Sequence, residues 1–177
     1  RWTGQSGTVS RARQRIERAM TRILGLDLGE KRIGVAIADT QGIAMPLTTL
    51  RRAATHAEDA IAIARLLADQ GATEIVVGLP LEARGNDGAQ ARITRDWVDA
   101  VQPLLDAPVR YRDERLTSHL AEQRLGPMKR GRSGGPPSRT QRDAYRARVD
   151  REAAAIILQD ELDARATKPI QDMEARS

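Results

Sequence analysis

Three carboxylates in this chain carry the potential for chemistry: Asp27, Glu114 and Asp150. Asp27 lies between Ile23, Leu24, Leu26 and Leu28 in a stretch that reads as a buried strand. A charge there is costly unless a cation or several hydrogen bonds compensate it. The segment fits two functional readings: a ligand for a divalent metal, or part of a Gly-rich turn that cradles phosphate. A carboxylate bonded to backbone at a strand end is the structural alternative. Glu114 falls at the end of a short strand, just before a helix whose positive N-terminal end favours a nearby negative charge. A surface ion pair with Arg115 would explain it equally simply. Asp150 shares one helical face with Ala153, Ala154, Ile157 and Glu161 at i, i+3, i+4, i+7 and i+11 spacing, or else serves as an N-cap.

Composition narrows the chemistry. The chain has no Cys and two His, so thiolate zinc sites, disulfides and a cysteine nucleophile are excluded. Any metal would be held by oxygen, which points to Mg²⁺ or Mn²⁺. Aromatic residues make up 2% with no Phe, so the core must be built from Leu, Ile, Val and Ala, and exposed base-stacking platforms are not expected. The net charge of +5, carried mainly by Arg, suits a polyanionic partner. No run is long enough to span a membrane and no signal peptide is recognisable, so a cytoplasmic location is expected.

The elements that must position the carboxylates follow in order. Residues 1–19 read as a polar Arg-rich extension or cloning remnant, disordered or a short helix, outside a single domain over 20–166; residues 167–177 read as a polar tail. Gly29-Glu-Lys-Arg32 is a turn, and Ile33, Val35 and Ile37 alternate with Gly34, Ala36 and Ala38, which completes a β-hairpin. Ile43–Leu50 suits an edge strand because Pro46 cannot donate to a ladder. Thr55-His-Ala-Glu58 is a capping box that opens a helix with Ile61, Ala64, Leu67 and Ala68 on its inner face, closed by Gly71. Glu74–Leu79 reads as a buried parallel strand. The polar loop after it carries Arg84 and Asn86, which are either phosphate contacts or a turn and helix cap. Ala89–Leu105 reads as a helix with Ile93, Trp97, Val101 and Leu104 inward. Gly126–Ser138 breaks all periodicity and holds Lys129, Arg130 and Arg132, as a mobile loop that clamps phosphates or merely links elements. Arg139–Ala166 closes the domain as a long helix. His56 and His119 read as ordinary helix residues.

Taken together, four ordered blocks resemble the YqgF (RuvX-like) family of RNase H-fold nucleases: Gly25–Ala36, Ile75–Leu81, Asp113–Ser118 and Val149–Leu158. The resemblance implies an α/β RNase H-like fold, with an antiparallel meander followed by parallel strands and helices on both faces. It implies that Asp27, Glu114 and Asp150 form an acidic triad for divalent metal, and that Gly126–Ser138 lies beside it. The implied activity is pre-16S rRNA processing, with Holliday junction resolution as the alternative. Two metal ions about 4 Å apart can activate water and stabilise a leaving oxygen; Glu152 and Asp113 are candidates for a fourth ligand. Candidate nucleic-acid contacts are Lys31, Arg32, Arg84, Asn86, Arg115, Lys129, Arg130, Arg132, Arg146 and Arg148. The partner is then structured RNA or branched DNA, bound by a monomer or homodimer. An actin-like nucleotide-binding module and a non-catalytic nucleic-acid-binding module are the remote alternatives.

Overall fold

The computed structural model describes residues 22–38, 42–81, 88–114, 117–128 and 135–174. The hairpin forms as expected: β1 (Arg22–Leu28) pairs antiparallel with β2 (Arg32–Ala38), and the Gly29 amide closes the turn on the Arg32 carbonyl at 2.9 Å. β3 (Ala44–Arg51) adds antiparallel to β2 at the sheet edge, where Pro46 needs no donor. β4 (Ala72–Leu79) and β5 (Val109–Asp113) continue on the other side of β1, each parallel to its neighbour, so the order is β3-β2-β1-β4-β5. This is the expected mixed sheet, an antiparallel meander followed by parallel strands.

The two faces of the sheet differ in side-chain size. On one, Leu24, Leu26, Leu28, Ile33, Val35 and Ile37 pack with Ile75 and Val77 against α1 (His56–Gln70) and α2 (Ala89–Val101). On the other, Ile23, Ala36, Ala38 and Val76 meet Ala154, Ala155, Ile157 and Leu158 of the last helix. That smaller face is where Asp27 belongs, because residues two apart on a strand share a side.

Helix α1 opens on the expected capping box, with the Thr55 hydroxyl accepting from Glu58 N–H, and ends at Gly71 in the left-handed region at φ 62°. Its inner face is rotated from the sequence reading. Ala60, Ile63 and Leu67 are buried with Asp59, whereas Ile61 is 54% exposed. Helix α2 is corrected in the same way. Ala91, Thr94, Trp97, Val98 and Val101 face inward, while Ile93 and Leu104 are exposed. The helix stops at Val101 and continues as a single 3-10 turn over Gln102–Leu104, since Pro103 lacks the amide that an α-helix requires.

Helix α3 (Thr117–Leu125) packs through Ala121 on Val149, Ala153 and Ile156 of α4 (Arg139–Glu174). Ser138 and Gln141 form a reciprocal cap that starts α4: Ser138 N–H donates to Gln141 Oε1 at 2.8 Å and Gln141 N–H to Ser138 Oγ at 3.2 Å. Asp150 is therefore well inside α4 and is not its N-cap. The helix runs on to Glu174, through part of the stretch read as a tail. Among the described residues no helix is long and apolar enough to cross a membrane.

Candidate active site

Asp27, Glu114 and Asp150 reach one end of the sheet from three different elements. Asp27 is the penultimate residue of β1 and pairs with Gly34 of β2. Its level on the parallel side is Gly78, because Leu26 pairs with Val77. Glu114 follows the last residue of β5, and its amide donates to the Leu79 carbonyl at 3.0 Å. The carboxylates thus stand at the carboxyl ends of parallel strands, where open α/β sheets bind ligands. Asp150 comes down onto them from α4.

Two glycines make this convergence feasible. A Cβ on Gly34 would lie 1.9 Å from the Asp150 carbonyl oxygen, so only glycine lets the α4 backbone approach β2 there. A Cβ on Gly78 would lie 2.5 Å from Glu114 Oε2 and 2.5 Å from Ile157 Cδ1, so the missing side chain houses the Glu114 carboxylate.

The electrostatics are those of crowded acids. Burial, then the charge of Glu114, then that of Asp150 hold the Asp27 carboxyl well above its ordinary value of 3.8. Burial pushes Glu114 from 4.5 up to about 7. Asp150 is compensated differently: Arg32 Nε–H donates to its Oδ2 at 2.5 Å. Among the described residues no three His, Cys, Asp or Glu side chains stand close enough to hold a metal ion as they lie. In kind, however, these side chains fit a hard divalent cation: all three are carboxylates, and a cation would relieve the repulsion that adds to burial in raising Asp27.

The remaining sequence candidates separate clearly. Lys31, Arg32 and Arg146 line a cavity of about 280 Å³ that also touches Asp150. Arg148 is exposed and lies outside it. Glu152 is drawn toward α3, where Arg124 pairs with it at 3.3 Å, so it is not placed as a fourth ligand. Asp113 is exposed beside the site. Arg84, Asn86, Arg115, Lys129, Arg130 and Arg132 lie outside the described residues.

A family profile described as "RuvX: Holliday junction resolvase" matches residues 21–164. The chain belongs to the RuvX family. Similar relatives include the "Putative pre-16S rRNA nuclease" of Chloroflexus aggregans, 50% identical over 145 residues that cover 81% of this chain and 94% of the relative. A protein of the same name from Anaeromyxobacter dehalogenans is 45% identical over 146 residues, covering 82% and 98%. Among solved structures, Thermus thermophilus RuvC in complex with a Holliday junction substrate aligns at a TM-score of 0.48 and 15% identity, over 83% of this chain and 96% of that one.

Sequence reasoning missed a second buried acid in this RuvX chain. Asp59 is 2% exposed and accepts from Arg52 Nε at 2.9 Å, the Ala53 amide at 2.8 Å and Trp97 Nε1 at 2.9 Å. Arg52 also lies over the Trp97 ring, 5.8 Å from its centroid. With both carboxylate oxygens engaged, Asp59 is a structural hub that ties α1, α2 and the end of β3 together. The position of Asp59 in the first turn of α1 is readable from the sequence, but its partners 7 and 38 residues away are not.

Proposed function

We propose that this chain is a divalent-metal-dependent nuclease that hydrolyses phosphodiester bonds in structured RNA, and that its substrate is the 5′ end of pre-16S rRNA. The observation that carries this reading is the pairing of two carboxyls of raised pKa, Asp27 and Glu114, with Asp150 beside them, at the carboxyl ends of parallel strands in a RuvX-family chain. The names of the relatives support the RNA substrate.

In this reading Asp27, Glu114 and Asp150 are the metal ligands. Bound Mg²⁺ or Mn²⁺ would supply an activated water and stabilisation of the leaving oxygen. The protein's own part is to hold acids that are reluctant to ionise. The Glu114 carboxyl keeps its proton below about pH 7 and must release it before the site takes up a cation. Arg32 compensates Asp150 and lies between the acids and the basic surface, where a phosphate can compete for its guanidinium.

The test offers purified protein a 5′-extended 16S rRNA fragment and a synthetic four-way DNA junction, each with Mn²⁺ and with EDTA. Cleavage of the RNA that requires metal is expected. Asp27→Asn should abolish it while leaving binding intact or tighter, because the change keeps shape and removes negative charge. Residual cleavage within a few-fold of wild type would sink the assignment of Asp27. The description of the family profile favours the junction as a second reading, and that role needs two symmetric incisions by a two-fold dimer. A stable dimer that cuts the junction and ignores the RNA would replace the first reading.

A further inference from the structure

A cleft of about 740 Å³ opens between the hairpin with its neighbouring strand and the first turns of α4. Its sheet wall carries Lys31, Arg32, Arg51 and Arg52; its helix wall carries Arg139, Arg142 and Arg146. Only Glu30 and Asp143 oppose them among the acids of the lining. The cleft shares Glu30, Lys31, Arg32 and Arg146 with the smaller cavity that touches Asp150, so it leads directly to the acidic cluster.

The cations differ in how they are used. Arg52 is committed to Asp59 and Arg32 to Asp150. Lys31, Arg51, Arg139 and Arg146 are exposed, and none forms an ion pair with a described residue. Like charges gathered in a concave site repel one another and focus a positive potential that an anion relieves. The ligand must be extended. Arg139, Arg142 and Arg146 follow i, i+3, i+7 spacing along one side of α4, and at a 1.5 Å rise per residue their Cα atoms span roughly 10 Å. One phosphate would not reach both ends. The lining contains no aromatic residue, and Trp97 is buried beneath Arg52, so unpaired bases would find no aromatic platform to stack on.

We infer that this cleft is a phosphate track for a double-helical arm of the nucleic acid, gripping one backbone of the arm and leading it to Asp150. The inference rests on the nuclease reading above and adds to it the form of the substrate and the side from which it enters. Paired bases need no stacking platform, and recognition through the backbone needs only cations placed along it.

The test measures binding by fluorescence anisotropy in EDTA over a series of salt concentrations. The probes are an RNA hairpin with a 5′ extension and a single-stranded RNA of equal length. The proteins are wild type and the triple variant Arg51→Gln, Arg139→Gln, Arg146→Gln, whose folding is checked by thermal melting. Wild type should bind the hairpin at least tenfold more tightly than the single strand. The triple variant should lose that preference, and its log-log salt slope should fall by roughly 2–3, at about 0.7–0.9 for each phosphate no longer neutralised. An unchanged slope in the folded variant would overturn the track, while metal-dependent RNA cleavage by wild type would still uphold the nuclease. Equal wild-type affinity for both probes would overturn the double-helical form. Wild-type protein that neither binds nor cleaves either RNA would overturn both readings.

Discussion

Raising the pH from 5 to 8 in the presence of EDTA should destabilise this protein, and Glu114 should be the main adjustable cause. In the folded state its carboxyl titrates at about 7, against an ordinary value of 4.5 for an exposed glutamate. Between those values the folded chain binds more protons than the unfolded one, so unfolding free energy falls as pH rises through the window. Below 4.5 the contribution is fully present; above about 7 it is gone. The interval sets a ceiling of about 3 kcal/mol at 1.36 kcal/mol for each decade of acidity. Glu114 is only partly buried, so solvent screening brings the expected loss to about 1–2 kcal/mol. Asp27 adds in the same direction, since its carboxyl is raised too, and the two acids titrate as an interacting pair. Glu74 does not mask the effect. Burial opposes its ionisation, but the hydrogen bonds from Arg165 and the nearby Arg110 outweigh it and lower its pKa, so its contribution is lost below 4.5.

The assay is urea unfolding at half-unit steps of pH from 4.5 to 8, for wild type and Glu114→Gln. Wild type should show a falling stability curve. Glu114→Gln should flatten it, leaving the smaller slope of Asp27, which then has one repelling neighbour instead of two. Adding Mn²⁺ should stabilise wild type more at pH 8 than at pH 5, because protons compete with the cation for the same oxygens. Wild-type stability that is flat or rises between 4.5 and 7 in EDTA would refute the burial of Glu114 beside Asp27.

Two substitutions probe the glycines beneath the site. Gly34→Ala sets a Cβ 1.9 Å from the Asp150 backbone oxygen, and neither partner is a flexible tip, so α4 must lift by more than an ångström. Circular dichroism melting should show a loss of about 2–3 kcal/mol, at the upper end of overpacking costs, and wild-type stability would contradict the close approach. Gly78→Ala instead meets the tips of Glu114 and Ile157, each able to turn aside. Stability should fall by only about 1 kcal/mol, while RNA cleavage falls roughly 100-fold because the carboxylate is displaced by nearly an ångström. Equal losses of stability in the two variants would contradict this distinction.

What is legible in the sequence and what is not divide along range. The hairpin, the edge strand with Pro46, the capping box at Thr55 and the parallel strand through Val76 and Val77 are written in neighbouring residues, and all are present. Helical faces are harder to read, since periodicity alone does not fix their direction to within one residue. It points Ile61 and Ile93 inward, yet the helices turn Ala60, Ile63, Thr94 and Val98 to the core instead. Meetings between distant segments are not legible at all. Arg32 reaches Asp150 across 118 positions, and the basic cleft is assembled from the hairpin, β3 and α4. The site acids can be singled out one by one, while the raised pKa values of Asp27 and Glu114 follow from the packing.

The unequal faces of the sheet explain why stability and chemistry are coupled at some positions and separable at others. The side packed on α1 and α2 is filled by Leu, Ile and Val, so those helices stand off at the distance of large side chains. On the other side Gly25, Gly34, Ala36 and Gly78 remove that bulk, and α4 settles with Ala154 and Asp150 backbone atoms almost against the strands. A longer side chain on this face would do more than cost packing energy. It would lift Asp150 away from Asp27 and weaken the repulsion that marks the site. Where the intruding atom meets helix backbone, as at Gly34, fold and site must move together. Where it meets side-chain tips, as at Gly78, the fold can hold while the acid is displaced. The small face of the sheet thus fixes the distance between the acids through the seating of α4.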